Sequence, residues 1–378
     1  MADTAAGPMN EDWNLLLSLF PMGWQEQAIL SGASERLRGF DSVADLLRVL
    51  LLHVGKGYSL RETAVRARQA GLAQISDVAL LKRLRNAEGW WRSLCVALLG
   101  ESGFHMACDS RGWNVRVVDG TLIREPGQGG AQWRIHYSLQ LPDLECDQFL
   151  LTPVKGRGTG ESLQRFEAAP RDLLLADRGY CRPLGVWKLS QQGAAVVVRL
   201  HTTSMPLCQS KGKPFALLPH VRQLQQPGQV REWKVWMRAE EQLVPGRLCA
   251  IRKTREAADR DRRKILRKEQ QGGPKPKPET LEYANYTLVF TTVPAAEFSA
   301  AEVLQWYRLR WQVELVFKRM KSLAQLGYLP KHDERSSRAW LYGKLLIALL
   351  GQKLMRIGRD ISPWGYSDSE IPTPKQLA

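Results

Sequence analysis

NVRVVDGTLI, residues 114–123, breaks the pattern of the hundred residues before it. Those residues carry apolar positions three and four apart, the period of helices, whereas this run is β-branched and alternates with period two. AQWRIHYSLQL (131–141) repeats the alternation, with Trp133, Ile135, Tyr137, Leu139 and Leu141 on one face, and DQFLLTPV (147–154) supplies a third strand. GESLQRFEAA (160–169) then reads as a helix and DLLLADRGY (172–180) as a continuous apolar strand ending in Asp177. RPLGVWKLSQQ (182–192) is a helix with Pro183 in its first turn, and AAVVVRL (194–200) another strand.

Three meandering strands followed by alternating helix and strand is the order of a ribonuclease H-like α/β core, here spanning 112–200 and resuming at 298–330. Between these parts, residues 201–297 read as a β-rich insertion: strand-like REWKVWMRA, GRLCAIRKT and NYTLVFTTV, the basic run Arg252 to Lys268, and the linker GGPKPKPE. Ser299 with Glu302 makes a capping box for a helix running to about Leu326. A C-terminal helix, roughly 338–357, and a polar tail make up 331–378.

The N-terminal region, 1–105, reads as helical and DNA-binding. FDSVADLLRVLLLHV closes at Gly55-Lys56-Gly57, and in 59–85 Ser59/Glu62 caps one short helix that Gly71 ends, while Ser76 and Asp77 cap a second carrying Lys82, Arg83 and Arg85. Such a pair resembles a helix-turn-helix reader of DNA; the same pair also occurs as plain packing in all-helical domains.

The chain of 378 residues carries 54 Lys and Arg against 38 Asp and Glu, a formal charge of +16, which points to a polyanionic partner, most simply nucleic acid. The six cysteines form no CxxC or Cys/His cluster and read as reduced core residues of a cytosolic protein. MADTAAGPMNEDWN offers no export address, and LYGKLLIALLGQKL (341–354), interrupted by Lys344 and Lys353, reads as a buried helix and not a membrane span.

Three carboxylates stand where chemistry could use them: Asp119 and Asp177 at strand ends, and Glu314 in YRLRWQVELVFKRMK (307–321). On a helix Tyr307, Arg310, Glu314 and Lys321 fall within about 60° of one another, one stripe with a single acid among cations. Hard oxygen ligands without His or Cys suit Mg²⁺ or Mn²⁺. Each residue also has a plain reading: an Asp after an apolar run often forms a turn, and Glu314 between Arg310 and Lys318 is placed for ion pairs along a helix.

VVDGT, LLADRGY and the Tyr307, Arg310, Glu314, Lys321 spacing resemble the three active-site blocks of DDE transposases of the bacterial insertion sequence 4 family, whose Tyr-Arg-Glu-Lys subgroup also carries a β-strand insertion before the Glu. The resemblance implies that Asp119, Asp177 and Glu314 hold two Mg²⁺ ions, for which Mn²⁺ substitutes. Tyr307, Arg310, Lys321 and Lys318 would face DNA phosphates, and Trp233, or Trp236 on the same strand, would stack on a base turned out of the duplex. The implied partners are double-stranded DNA, both terminal inverted repeats and target, and a second copy of the chain in a homodimeric synaptic complex, without a membrane, in the nucleoid-associated cytoplasm of a bacterium. Two other readings stand beside it: a related nuclease that cleaves without joining strands, and a copy that binds DNA without catalysis.

Overall fold

The computed structural model describes residues 8–101, 109–123, 133–156, 158–310 and 333–361, which fall into two compact units. The first is helical, and serine caps set its boundaries. Ser42, Ser59 and Ser76 are extended and accept hydrogen bonds from the backbone N–H groups of Asp45, Glu62 and Ala79, starting α3 (Val43–Lys56), α4 (Leu60–Gln69) and α5 (Asp77–Asn86). Gly57, left-handed at φ 71°, closes α3. α1 (Pro8–Ser18), α2 (Trp24–Leu30) and α6 (Glu88–Glu101) belong to the same unit.

α12 (Glu334–Ile361) completes that unit's core. It starts four residues before the expected 338 because Asp333 Oδ1 accepts the N–H of Ser336 at 3.0 Å and caps the first turn. Trp340, Tyr342, Leu345 and Leu346 are buried with Trp90 and Trp91 of α6, and Gly343 lies so close to the Trp91 ring that a Cβ there would collide with it. Lys344 is 1% exposed with its ammonium over the Trp340 ring, and burial draws its pKa down to about 8. The run read as a buried helix is therefore one, and Lys344 is buried within it.

The second unit is built on a nine-stranded sheet. Its strands are β1 (Asn114–Ile123), β2 (Trp133–Gln140), β3 (Glu145–Pro153), β4 (Asp172–Ala176), β5 (Ala195–Arg199), β6 (Leu207–Cys208), β7 (Val230–Ala239), β8 (Gln242–Arg252) and β9 (Tyr286–Thr291), in the order β3-β2-β1-β4-β5-β9-β8-β7-β6. β1, β4 and β5 pair in parallel, and from β5 outward every pairing is antiparallel. All five residues of β4 are buried, as a strand covered on both faces must be. β6 to β9, from residues 201–297, extend this same sheet, with α8 (Leu217–Val221), α9 (Arg255–Gln270) and α10 (Pro278–Tyr283) in their connections.

Two expectations are corrected. GESLQRFEAA forms one 3-10 turn, Leu163–Arg165, rather than a helix. Ser162 caps it, the single turn is enough to bury Leu163 and Phe166, and Gly185 in α7 (Pro183–Gln191) lets that helix close directly onto Leu163. Asp119 lies inside β1 and not at its end, because β1 continues to Ile123 after its pairing with β4 has stopped at Val117.

One buried cation sets the departure of the next helix, α11, whose described part is residues 300–310. Arg247 of β8 is 5% exposed, forms an ion pair with Glu232 at 2.6 Å, and donates to the carbonyls of Val293 at 2.9 Å and Phe298 at 2.8 Å. Ser299 and Glu302 then close the capping box read from the sequence, with Ser299 N–H to Glu302 Oε2 at 2.8 Å and Glu302 N–H to Ser299 Oγ at 3.4 Å. Arg247→Met orphans these buried carbonyls and is expected to destabilise the protein by about 2–4 kcal/mol in a denaturant melt. A change under about 0.5 kcal/mol, typical of an uninvolved surface position, would show that the clamp is dispensable.

Candidate active site

The pairing of β1 with β4 matches Asn114 to Asp172 and Val117 to Leu175. Carried two residues further, the same register sets Asp119 opposite Asp177. Ala176 is matched to Val198, so one residue further Arg199 faces Asp177 from the other side. Three parallel strands thus present a row of carboxylate, carboxylate and guanidinium at their C-terminal edge, about 4.8 Å from strand to strand. In open α/β sheets this edge is where ligands bind.

Neighbouring side chains hold each carboxylate. Tyr137 Oη of β2 donates to Asp119 Oδ2 at 3.2 Å. Tyr307 Oη, one turn before the described end of α11, donates to Asp177 Oδ1 at 3.5 Å. Arg310 Nη2 donates to Tyr307 Oη at 3.3 Å and lies 3.8 Å from Asp177 Oδ1, with its guanidinium over the Tyr307 ring. Arg310 is buried while the Asp177 side chain is 39% exposed, so the cation braces the carboxylate from behind and leaves its front to solvent. Burial pushes the Tyr307 hydroxyl above its usual range; Arg310 opposes this and the Asp177 charge adds to it.

Positive charge gathers beside Asp177. Burial, followed by the adjacent Arg199, holds the Arg178 guanidinium below its usual range. Burial likewise lowers Lys253, against the pull of its ion pair with Asp261 at 2.6 Å and with the like charges of Arg199 and Arg178. Reading the sequence missed Arg178 and Arg199, although the lone arginine closing the apolar strand AAVVVR was a signal for the second; Lys253 lies in the basic run Arg252 to Lys268.

Of the other expected residues, Glu314, Lys318 and Lys321 lie outside the described residues. Trp233 is half-buried against the hydrophobic core and meets His220 edge-on. It occupies the row Ala176, Val198, Phe290, Leu248, Trp233, four strand spacings or roughly 19 Å from β4. Val198, Phe290 and Leu248 of that row belong to the core on the opposite face from the Asp177 side chain. In the helical unit, Lys82 is exposed, Arg83 donates to the Arg38 carbonyl, and Arg85 is paired with Asp333 at 2.8 Å.

Asp119 and Asp177 are hard oxygen donors, Asp177 with its front open to solvent, and their chemistry fits Mg²⁺ or Mn²⁺. Among the described residues no group of three His, Cys, Asp or Glu side chains converges closely enough to hold an ion, so a third ligand has to come from elsewhere. Cys95, Cys146, Cys181, Cys208 and Cys249 are buried and form no disulfide among the described residues, and no described helix is long and apolar enough to cross a membrane.

A sheet edge bearing two neighbouring carboxylates beside a cluster of cations has groups that can serve phosphate chemistry. The profile of the family described as "Transposase DDE domain" matches residues 156–350, which include Asp177, Arg199, Tyr307 and Arg310. The chain is 33% identical to the putative transposase InsL for insertion sequence element IS186A of Escherichia coli (strain K12), over 94% of this chain and 96% of that protein. It is equally 33% identical to the transposase for insertion sequence element IS421 of Escherichia coli, with the same coverage. The transposase for IS231E of Bacillus thuringiensis subsp. finitimus is 23% identical over 64% of this chain and 56% of its own length. The chain belongs to the DDE transposase family.

Arg199→Ala should weaken the complex with duplex DNA and reduce the slope of log affinity against log salt by about one. Salt titrations giving the wild-type slope would remove Arg199 from the phosphate-binding surface.

Proposed function

We propose that this transposase belongs to the Tyr-Arg-Glu-Lys subgroup of the insertion sequence 4 family and catalyses cut-and-paste transposition with Asp119, Asp177 and Glu314. The reading is supported by the pairing of β1 with β4 up to Val117 and Leu175, a register whose continuation sets Asp119 beside Asp177, and by the bonding of Tyr307 and Arg310 to Asp177. Two Mg²⁺ ions held by the three carboxylates, replaceable by Mn²⁺, would supply charge stabilisation at the phosphate and an activated oxygen nucleophile.

The reaction is a series of phosphoryl transfers. Water attacks the phosphorus at the transposon boundary, forming one P–O bond and releasing the 3′-oxygen as a hydroxyl. That 3′-hydroxyl attacks the opposite strand to close a hairpin, water reopens it, and the same hydroxyl joins target DNA. Each step exchanges one P–O bond for another and needs neither a covalent enzyme intermediate nor ATP.

Within this scheme Tyr307 and the buried Arg310 orient Asp177 from behind, so that Arg310 braces the acid and does not meet DNA as its place in the signature implied, while Lys318 and Lys321 hold backbone phosphates of the transposon end. The cluster of Arg178, Arg199 and Lys253 supports the same reading, because it adds phosphate-binding charge next to the carboxylates. α4 and α5, with Lys82 on the exposed face, are the DNA-reading pair of the helical unit. Two chains pair so that both ends of the element are processed together.

The test is cleavage of a linear duplex carrying the element's own terminal repeat, in Mg²⁺, Mn²⁺ or EDTA. The wild type should nick at the repeat boundary and accumulate hairpins only with metal. Asp119→Asn and Glu314→Gln should lose cleavage yet retain end binding. Nicks without hairpin or joined products would indicate a nuclease, and binding without cleavage in either metal a DNA-binding protein that has lost catalysis.

A further inference from the structure

Both carboxylate motifs carry a glycine close behind the acid: Gly120 directly after Asp119 and Gly179 two residues after Asp177. In the fold both glycines lie against one side chain, Glu161, which follows β3 just before the 3-10 turn, and Gly179 makes room for it. A Cβ placed on Gly179 would collide with Glu161 Oε2. A Cβ placed on Gly120 would lie 3.5 Å from Glu161 Oε1 and 3.2 Å from the hydroxyl of Tyr180. A fourth carboxylate thus reaches the rim where Asp119 and Asp177 stand side by side.

Tyr180 adds an independent observation. Its side chain is fully buried, and its hydroxyl has no hydrogen-bond partner among the described residues although it points at Gly120, beside Glu161. A buried hydroxyl without a partner is costly, and a water at the rim would satisfy it. Arg134 Nη1 lies 3.8 Å from Glu161 Oε1, so a cation stands beside this carboxylate.

We propose that Glu161 and the Tyr180 hydroxyl are the outer-sphere part of the metal site, receiving and orienting water molecules of a divalent cation held by Asp119 and Asp177. The inference rests on the reading of those two residues as the cation site. Glu161 acts through water and not as a direct ligand, since no three carboxylates converge among the described residues. Mg²⁺ keeps several of its waters when bound to protein, so groups that hold those waters select and fix the ion. Such outer-shell partners typically change metal affinity by about 10–100-fold. The role fits the two glycines: a side chain at Gly179 would displace the Glu161 carboxylate, and one at Gly120 would press on the Tyr180 hydroxyl.

The experiment is Mn²⁺ titration of the full chain, read by the electron paramagnetic resonance of free ion, for wild type, Asp119→Asn, Glu161→Gln and Tyr180→Phe, with melting temperatures taken in EDTA. Expected is near-complete loss of binding in Asp119→Asn and about tenfold weaker binding in Glu161→Gln and in Tyr180→Phe. Tyr180→Phe should not lower the melting temperature, because the hydroxyl it removes has no partner among the described residues. Wild-type affinity in both Glu161→Gln and Tyr180→Phe, with binding lost in Asp119→Asn, overturns the outer-sphere role and leaves the active-site reading standing. Absence of Mn²⁺ binding by the wild type, or undiminished binding by Asp119→Asn, overturns the active-site reading itself.

Discussion

The pairing of β1 with β4 is the constraint on which the site depends. A parallel register is a choice among slips, and a slip of one residue would turn Asp119 to the other face of the sheet. Two features pin it. The buried run Leu173 to Ala176 has to keep both faces covered, and at the start of the ladder polar bonds join the matched residues. Asn114 Nδ2 donates to Asp172 Oδ1 at 2.8 Å, and the buried Arg116 pairs with Asp172 at 2.7 Å and Asp147 at 2.8 Å. Removing either partner of such a pair would strand a charge in the core, so the ladder has a strong preference for this alignment. The opposite end of the same ladder is left open for Asp119 and Asp177.

The rest of the second unit brings other groups to that edge. β5 adds Arg199 to the row, and β9 and β8 carry the sheet outward to Arg247, whose guanidinium holds the carbonyls from which α11 departs. α11 then returns Tyr307 and Arg310 to Asp177. The strands between Asp177 and α11 therefore have a structural part, because they hold the clamp that aims the helix. Burial of Arg310 behind a half-exposed Asp177 keeps the acid oriented while its open side faces solvent.

Much of this was legible in the sequence because the patterns were local. Serine caps marked α4, α5 and α11 to within a residue, period-two runs marked β1 to β3, and the apolar run before Asp177 marked a strand covered on both faces. What was not legible depends on contacts between distant segments. GESLQRFEAA has helical composition, yet Gly185 brings α7 so close that one turn suffices. Arg85 reads as a DNA-facing cation until its partner Asp333, far along the chain, is in place. Trp233 reads as a stacking platform, but β7 is four strands away from β4 and its tryptophan packs on the core. Glu161 carried no signal because its place depends on Gly179, remote in sequence, which makes space for it.

The central claim is that the β1/β4 register makes Asp119 and Asp177 two halves of one cation site. Substituting Fe²⁺ for the native ion and adding ascorbate and peroxide generates hydroxyl radicals at the bound metal, which cut the polypeptide beside it; mass spectrometry locates the cuts. The account predicts two sets of cuts, near residues 119 and 177, appearing together and suppressed together by excess Mg²⁺. Cuts near only one of the two aspartates, or near neither, would contradict it.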